Sequence, residues 1–515
     1  MSRPWWHTAV IYQIYPRSFQ DTNGDGIGDL PGITSRLDHL VDLGVDALWI
    51  SPFYPSPMAD FGYDVADYTD VDPMFGTLDD FDDLLAAAHD RSLRVIIDWV
   101  PNHSSDQHPW FRESRSSRHD PKRDWYVWAD PAPDGGPPNN WQSVFGGPAW
   151  EWDEATGQYY LHSFLREQPD LNWRNPEVEQ TMFDTVRFWM DRGVDGLRID
   201  VAHFIMKDPA MRDNPPADVE PTEFKSLGEY DRQDHIHDKG HPDVHEVFRR
   251  LRVLLDGYDG ERFAVGEIHV FDWAEWVRYY GEADELHMPF NFSLLFAPWD
   301  AAEIRSRVDA MEAVLPSWAW PNHVLGNHDE VRLIDRYGGP ERARAAAILL
   351  LTLRGTPTIY YGEEIGMRQA DIPLDRQQDP WGLQVPGQGR DGCRTPMQWG
   401  DPFTDSEPWL PMMDEPTVAG QRTDPDSLLS FYRRLLTLRR TLPDLQTGDY
   451  RSIDGPDGVY LFRRGESVVV AINFTDEDRR IDLDGEVRFS TDPELEAVSA
   501  EGVVLGPDAG VIVVT

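Results

Sequence analysis

Cysteine is almost absent from this chain of 515 residues, since Cys393 is its only copy. A single cysteine excludes an intrachain disulfide and fits a reducing compartment. Long apolar runs are also lacking, and even the stretch 345–353 is too short to span a membrane. Residues 1–7 do not form the apolar segment of a secretory signal peptide. We therefore expect a cytoplasmic protein with no membrane partner.

Positive charge is in short supply, with 47 Lys and Arg against 91 Asp and Glu and a formal net charge of −44. Nucleic acids and anionic membranes are polyanions that such a surface would repel, so neither is an expected partner. What the chain does have is aromatic residues, including 20 Trp. Most such rings fill cores, but aromatic faces also bind sugars, so they give weak support for a carbohydrate ligand.

Short apolar runs alternate with amphipathic stretches, which predicts a parallel sheet covered by helices in an α/β fold. Eight runs favour a closed (β/α)8 TIM barrel over an open doubly wound sheet. The predicted strands are 10–15, 47–50, 94–100, 196–199, 263–266, 286–290, 323–325 and 358–360. The predicted helices include 78–89, 178–190, 301–314, 341–353 and 427–440.

The chain exceeds a minimal barrel of about 250 residues, and two insertions and a tail explain the excess. The segment 104–173 is rich in Trp, Gly, Pro and Asn and lacks a helical period, which predicts an irregular domain B after strand 3. The segment 366–421 predicts a polar insertion after strand 8. Residues 1–103 and 174–442 are assigned to the barrel. Short alternating strands in 443–515 predict a C-terminal antiparallel β-sandwich.

Barrel enzymes carry their catalytic groups at the carboxyl ends of the strands. One acid at a strand end usually makes a structural hydrogen bond. Several acids at one rim, together with Arg and His, serve no purpose in folding and indicate a catalytic site. The residues that this prediction brings together are His103 after strand 3, Arg198 and Asp200 at strand 4, Glu267 at strand 5, and His328 and Asp329 after strand 7.

These segments resemble the signature regions of glycoside hydrolase family thirteen, the α-amylase superfamily. The four segments are DWVPNH at 98–103, RID at 198–200, GE at 266–267 and NHD at 327–329. Further matches are GYD at 62–64, QPDLN at 168–172, GTPTIYYGEE at 355–364 and RTPMQW at 394–399. The resemblance runs from residue 5 to about residue 440, and QPDLN and RTPMQW resemble the oligo-1,6-glucosidase and α-glucosidase branch in particular.

The resemblance implies hydrolysis with retention, in which one carboxylate attacks and a carboxylic acid about 5–5.5 Å away protonates the leaving oxygen. It assigns attack to Asp200 and proton transfer to Glu267, and it implies that Asp329 stabilises the oxocarbenium-like transition state. Arg198, two residues before Asp200 on the same strand face, is expected to keep the nucleophile ionised. Glu267 is expected to have a raised pKa that keeps it protonated near neutrality.

The same resemblance implies a closed sugar pocket. In that branch, the acid of GYD and the Arg of RTPMQW grip the terminal glucose, which here assigns Asp64 and Arg394, with Tyr63 stacking on the ring. A closed pocket favours an exo-acting α-glucosidase over an endo-amylase. A surface ion pair, which would add little stability, is the alternative for Asp64 and Arg394. The predicted substrate-binding residues are Asp64, Tyr63, His103, Phe145, Phe164, Gln168, Arg198, Val201, His328 and Arg394.

The bond that is cleaved stays open. Val at the position after the nucleophile accompanies α-1,6 action in the branch, and Thr accompanies α-1,4 action, so Val201 points to isomaltose-type bonds. The segments 202–204 and 330–331 depart from the usual oligo-1,6-glucosidase pattern. Transfer to sugar acceptors is also open, because any hydroxyl can intercept the glycosyl-enzyme.

The loop DTNGDGIGD at 21–29 carries oxygen side chains at alternate positions, a spacing that can wrap a hard cation. It resembles the first part of an EF-hand loop, but Gly32 stands where the bidentate Glu would be. The resemblance implies a structural Ca²⁺, with Mg²⁺ as the alternative. The implied ligands are Asp21, Asn23, Asp25, the carbonyl of Ile27, and Asp29. An unmetallated turn is the competing interpretation, and no organic cofactor is expected.

Two other functions compete with hydrolysis. A trehalose synthase or sucrose isomerase on the same scaffold would use the same three carboxylates. A non-catalytic partner protein, of the kind that serves some amino-acid transporters, would carry a membrane span and need not keep the acids. The presence of all three acids favours an enzyme that acts on small α-glucosides. We expect a monomer or a homodimer.

Overall fold

The structure is a computed structural model that describes residues 3–218, 227–385, 387–495 and 502–515. The strands within these residues, in chain order, are β1 Ile11–Ile14, β2 Ala47–Ile50, β3 Arg94–Trp99, β4 Trp128–Ala129, β5 Trp150–Asp153, β6 Gln158–Leu161, β7 Gly196–Ile199, β8 Phe263–Gly266, β9 Met288–Pro289, β10 Asn322–Val324, β11 Thr356–Tyr360, β12 Tyr450–Ile453, β13 Val459–Arg464, β14 Val468–Asn473, β15 Arg479–Ile481, β16 Glu486–Ser490, β17 Val503–Leu505 and β18 Gly510–Val514.

The α-helices follow the same numbering. They are α1 Leu30–Ser35, α2 Leu37–Leu43, α3 Leu78–Asp90, α4 Pro109–Ser116, α5 Pro176–Arg192, α6 Val244–Asp256, α7 Trp273–Trp276, α8 Ala301–Val314, α9 Leu333–Tyr337, α10 Pro340–Thr352, α11 Pro380–Gln384, α12 Val418–Gln421, α13 Leu428–Thr441 and α14 Pro443–Thr447. Across the described ranges, no helix is both long and apolar enough to cross a membrane.

Eight strands form one sheet in the order β10-β11-β1-β2-β3-β7-β8-β9, and every neighbouring pair is parallel. All eight positions were predicted from the apolar runs, and β2, β7 and β8 have the predicted bounds. With helices between the strands, this arrangement confirms the (β/α)8 barrel.

The barrel strands are mostly apolar because both faces of the sheet are buried. Alternate residues point to opposite faces of the sheet, so each strand contributes side chains to two hydrophobic cores. In β2, Trp49 belongs to the cluster inside the barrel and Leu48 to the larger cluster under the helices. In β3, Ile96 and Ile97 divide in the same way.

Helix ends follow local sequence signals. Thr77 caps α3, where its side chain and that of Asp80 form a capping box. Asn175 caps α5, Pro176 occupies its first turn, and Gly193 ends it with a φ of 106°. These helices return the chain to the start of the next strand, so every strand points its carboxyl end to one rim.

Two further units flank the barrel. The segment 104–173, predicted to be irregular, contains the eight-residue helix α4 and the small antiparallel sheet β4-β6-β5. Beyond α14 lie the antiparallel sheet β12-β13-β14-β18-β16 and the pair β15-β17, which share a core that includes Leu461, Ile481 and Val511. The larger sheet turns its other face to the barrel helices, where Phe431 meets Phe489. The expected C-terminal antiparallel β domain is confirmed.

Candidate active site

The carboxyl ends of β3, β7 and β8 bring three acids onto one guanidinium. Asp98 and Arg198 are register partners on neighbouring strands. Arg198 Nη1 donates to Asp98 Oδ1 at 2.7 Å and to Asp200 Oδ1 at 2.8 Å, and Nη2 donates to Glu267 Oε2 at 2.5 Å. All four side chains are buried. The predicted nucleophile and the predicted acid/base therefore contact the same guanidinium. Asp98 contacts it too, although the sequence analysis gave Asp98 no role of its own.

The backbone around these acids is tightly constrained. A Cβ atom at Gly266 would lie 2.4 Å from Leu286 Cδ1, so any larger residue immediately before Glu267 would force the Leu286 side chain to move. Val201, directly after Asp200, has a left-handed conformation with a φ of 35°. For a β-branched residue this conformation costs about 1–3 kcal/mol. It lets the Val201 amide donate to Glu267 Oε2 at 3.0 Å, so the turn ties one acid to the other.

The protonation of this group differs from the sequence-based expectation. Burial, followed by repulsion from Glu267 and Asp98, raises the pKa of Asp200 well above its usual range in spite of Arg198. Burial also raises the pKa of Asp98, to about 6. Burial acts on Glu267 too, but Arg198 and then His269 outweigh it and lower the pKa of Glu267. This direction is opposite to the expected rise, because Arg198 and His269 both contact the Glu267 carboxylate.

Asp329, which follows β10, lies beside two arginines and His328. Its Oδ1 accepts from Arg394 Nη2 at 3.0 Å and from Arg390 Nη1 at 3.2 Å. His328 Nε2 lies 3.4 Å from Oδ2. Burial opposes ionisation, but His328, Arg390 and Arg394 outweigh it and lower the pKa of Asp329. These contacts favour the ionised form of Asp329.

Two histidines line the rim in neutral form. His328 stacks on Tyr63, with ring centroids 5.5 Å apart, and Nε2 lies 2.8 Å from the Tyr63 hydroxyl. Burial lowers the pKa of His328 to about 3 and that of His103 to about 4. Gln168 Nε2 lies 3.1 Å from His103 Nε2 and 3.3 Å from Asp60 Oδ2. These neutral polar groups are suited to hydrogen-bonding sugar hydroxyls.

Asp64 does not occupy the place that the resemblance implied. It is fully buried, and its carboxylate accepts from the Ser56 hydroxyl and from the amides of Ala59 and Asp60, each at 2.9 Å. These bonds close a turn behind the cavity. The acid that lines the cavity is Asp60, four residues earlier.

Arg394 is displaced in the same way. Its guanidinium is buried behind Asp329, where Nε donates to the His328 carbonyl at 2.7 Å. Arg390, four residues earlier, lines the cavity and donates to Asp60 Oδ1 at 2.7 Å. Arg198 likewise lies behind Asp200 and outside the cavity lining. The structure therefore places Asp64, Arg394 and Arg198 outside the cavity lining, because each side chain is hydrogen-bonded to protein groups behind it.

An aromatic wall faces the acids. Phe145, Phe164, Val201, Phe204 and Trp381 form one buried cluster at the rim. Trp381 comes from α11, in the insertion after the eighth barrel strand, and stacks on Phe145 with centroids 5.0 Å apart. The indole, like Arg390, was not singled out in the sequence, because this insertion shows no periodic pattern.

One cavity of about 600 Å³ collects these groups. That size is within the range of small-molecule sites. It contains the predicted residues Tyr63, His103, Phe145, Phe164, Gln168, Asp200, Val201, Glu267, His328 and Asp329. Its other lining residues, which sequence analysis did not assign to the site, include Asp60, His269, Trp381 and Arg390.

The candidate metal loop is a compact turn stabilised by its own amides. Asp21 Oδ1 accepts from the amides of Asn23 and Gly24 and Oδ2 from that of Gly26, at 2.8–2.9 Å. Asp29 caps α1 and accepts from Thr22. In the part of the chain that the structure describes, no three acid, His or Cys side chains form a metal-binding group. A cation here would therefore need the Asn23 amide oxygen and the Ile27 carbonyl among its ligands, which a hard cation accepts.

Comparison with known proteins agrees with this geometry. A family model described as the α-amylase catalytic domain matches residues 13–448. The chain belongs to the α-amylase family. Within that family, it is 46% identical over 504 residues to a probable α-glucosidase of Rhizobium meliloti (strain 1021), covering 92% of this chain and 90% of the relative. It is 41% identical over 526 residues to an oligo-1,6-glucosidase of Heyndrickxia coagulans, covering 92% of each.

Solved structures extend the likeness to an α-glucosyl transfer enzyme and a trehalulose synthase. An α-glucosyl transfer enzyme superimposes with a TM-score of 0.94 at 45% identity over 100% of both chains. The trehalulose synthase of Pseudomonas mesoacidophila MX-45 superimposes with a TM-score of 0.89 at 37% identity, again over 100% of both chains. The resemblance seen in the sequence is confirmed, and the chain is a glycoside hydrolase.

Proposed function

We propose that this enzyme is an exo-acting retaining α-glucosidase that removes terminal α-linked glucose from disaccharides and short oligosaccharides. The proposal rests on one observation: Arg198 donates hydrogen bonds to both Asp200 and Glu267, which line the cavity. A nucleophile and a proton donor at one site are what hydrolysis with retention needs. The ion pair of Asp60 and Arg390 supports a pocket that grips one terminal sugar.

The chemistry assigns each acid one task. Asp200 attacks the anomeric carbon, and Glu267 gives its proton to the glycosidic oxygen. When Glu267 carries a proton, it no longer repels the charge of Asp200. The positive charge of Arg198 then stabilises only two carboxylates, those of Asp98 and Asp200. Protonation of Glu267 therefore favours ionisation of Asp200, which is the pair of protonation states that the reaction needs. Asp329, held ionised by its cations, stabilises positive charge on the sugar ring.

Water then releases the glucose from Asp200, with Glu267 as the base that takes the proton of the water. A sugar hydroxyl in place of water would give transfer. The names of the relatives, α-glucosidase and oligo-1,6-glucosidase, support hydrolysis. The α-glucosyl transfer enzyme and the trehalulose synthase support some transglucosylation and keep an isomerase as the second candidate. Val201 at the cavity wall supports α-1,6 bonds.

The remaining properties belong to the same proposal. Small α-glucosides are its substrates, and the net charge of −44 supports the exclusion of nucleic acid and anionic membrane as partners. The single cysteine supports a cytoplasmic location. A monomer or a homodimer is expected. A structural Ca²⁺, or Mg²⁺ in its place, would be held by the loop 21–29 and take no part in bond cleavage.

The decisive experiment follows maltose and isomaltose separately by proton NMR. We expect early release of α-glucose, with the faster substrate giving the linkage. Asp200→Asn should reduce the rate by at least about 10³-fold, and the exposed Asp134→Asn serves as a matched control. New disaccharide without matching glucose would move the assignment to the isomerase. Inactivity on both substrates, and then on sucrose and trehalose, would contradict the proposed enzyme.

A further inference from the structure

His269 lies two residues beyond Glu267 at the end of β8, and none of the assigned roles uses it. Its Nε2 is 2.9 Å from Glu267 Oε1. The ring stacks on Phe292 with centroids 4.4 Å apart and planes 8° from parallel. Its side chain keeps 36% of its surface exposed and lines the cavity. The imidazole therefore stands between the acid/base carboxyl and solvent.

The two oxygens of Glu267 are bound differently. Oε2 receives hydrogen bonds from Arg198 Nη2 and from the Val201 amide. Both partners are donors that cannot accept a proton, so Oε2 cannot carry one without losing them. Oε1 instead lies 2.9 Å from His269 Nε2, a nitrogen that can donate or accept. The proton that Glu267 must deliver therefore belongs on Oε1, directly opposite an imidazole nitrogen.

Few other charged groups face His269. Of its aromatic neighbours, Phe271 and Phe292 carry no charge. The ring of His203 lies with its centroid 6.2 Å away. Burial, followed by Lys239 and His269, lowers the pKa of His203 well below its usual range, so His203 does not supply a proton. Glu267 itself also faces Arg198, which repels an added proton, and Asp329, which attracts one.

We propose that His269 is a positioning residue that stores the proton of the acid/base, an inference that rests on the proposed α-glucosidase function. An imidazolium gives its Nε2 proton to Glu267 Oε1, which leaves a neutral imidazole and a neutral carboxylic acid. Glu267 then passes that proton to the glycosidic oxygen as the bond to the anomeric carbon breaks. Imidazole is suited to the store because its ring nitrogen can both donate and accept a proton.

The cycle closes without another reactant. After the first step the pair of His269 and Glu267 has lost one proton. In the second step, Glu267 takes a proton from the water that attacks the glycosyl-enzyme, and the pair again holds one. Arg198 thereby keeps its contacts on Oε2 in every state, while the proton moves only along the Oε1 side.

The test compares His269→Gln and His269→Phe with the wild type. Gln keeps a hydrogen-bond donor but cannot store a proton, and Phe keeps a ring against Phe292. The exposed His119→Gln is the matched control. The pH profile of kcat/KM is measured with maltose and with α-glucosyl fluoride, whose leaving group needs little acid assistance.

We expect the alkaline limb of the maltose profile to move to lower pH by about one unit or more in His269→Gln, because Glu267 must hold its proton alone beside Arg198. At pH 7, kcat/KM for maltose should fall about 10- to 100-fold, within the usual range of general-acid effects. His269→Phe should shift the limb less, since it removes a donor that favours the carboxylate. Activity on α-glucosyl fluoride should stay within about threefold in both variants.

An unmoved limb, or one that moves to higher pH, would overturn the proton store. An equal loss on maltose and on the fluoride would also overturn it, because it would indicate general damage to the site. These outcomes are distinct from failure of the proposed function, which would appear as a wild-type enzyme that turns over neither substrate.

Discussion

Asp379 holds the guanidinium of Arg390 from behind the cavity wall. Its Oδ1 accepts from Nη2 at 2.7 Å, and its Oδ2 accepts from Nε at 3.0 Å and from the backbone amide of Arg390 at 2.7 Å. Asp379 is fully buried. Burial raises its pKa, but Arg390 outweighs burial and lowers it to about 2. This pair orients Arg390 so that its Nη1 donates to Asp329 Oδ1 in the cavity.

Asp379→Asn should therefore weaken sugar binding without touching the reacting atoms. The amide keeps the shape but loses the charge, so Arg390 shifts toward Asp60 and Asp329. We expect KM for maltose to rise about tenfold while kcat changes less than threefold, a loss of about 1.4 kcal/mol in binding. The exposed Asp375→Asn is the control. A fall in kcat with KM unchanged would show that Asp379 acts on the chemistry instead.

Asp60 and Asp64 should separate into a binding role and a structural role. Asp60→Asn removes the carboxylate that meets Arg390 in the cavity, so kcat/KM should fall by about 10²-fold with little change in Tm. Asp64→Asn replaces one acceptor of a buried turn by a donor, so Tm should fall while KM changes little. Steady-state kinetics and thermal unfolding of the two variants check this division. Equal effects on KM would contradict it.

The sequence predicted the fold and most of the site for physical reasons. A strand buried on both faces must be apolar, and the residue at its end must be at the rim, so Asp200 and Glu267 were found by position. Loop residues lack such a rule. The sequence motifs pointed to Asp64 and Arg394, whereas Asp60 and Arg390, each four positions earlier, line the cavity. A motif alone does not show which of two nearby acids is hydrogen-bonded within a buried turn. The lowered pKa of Glu267 was also beyond the sequence, since it depends on how closely Arg198 and then His269 approach the carboxylate.

The loop 21–29 should bind a cation that stabilises the fold. Dialysis against a chelator should lower Tm, and Ca²⁺ should restore it, since a ligand at 100 times its Kd adds about 2.7 kcal/mol. Asp21→Asn should abolish the restoration, whereas the exposed Asp371→Asn should keep it. The catalytic constants of the restored protein should equal those of the original, because the loop contributes no residue to the cavity lining. If chelator, Ca²⁺ and Mg²⁺ all leave Tm unchanged, the loop binds no stabilising cation and is held only by its own backbone amides.

Glu363 should make the stability of the barrel depend on pH. It is buried after β11, where the Tyr432 hydroxyl donates to Oε1 at 3.0 Å. Burial raises its pKa to about 7, with Glu364 acting in the same direction. Because the folded pKa lies above the unfolded value, its contribution is present in full below about pH 4.5 and is lost as pH rises through about 7.

Glu363→Gln should remove this dependence, since the amide oxygen still accepts from Tyr432 and carries no charge. The free energy of unfolding of the wild type, relative to the variant, should fall by about 2–3 kcal/mol between pH 5 and pH 8. Thermal unfolding at both values measures it, and the exposed Glu154→Gln controls for a change of net charge. A constant Tm difference between wild type and variant would mean that Glu363 keeps its charge in the fold, with Arg336 as the nearby cation to compensate it.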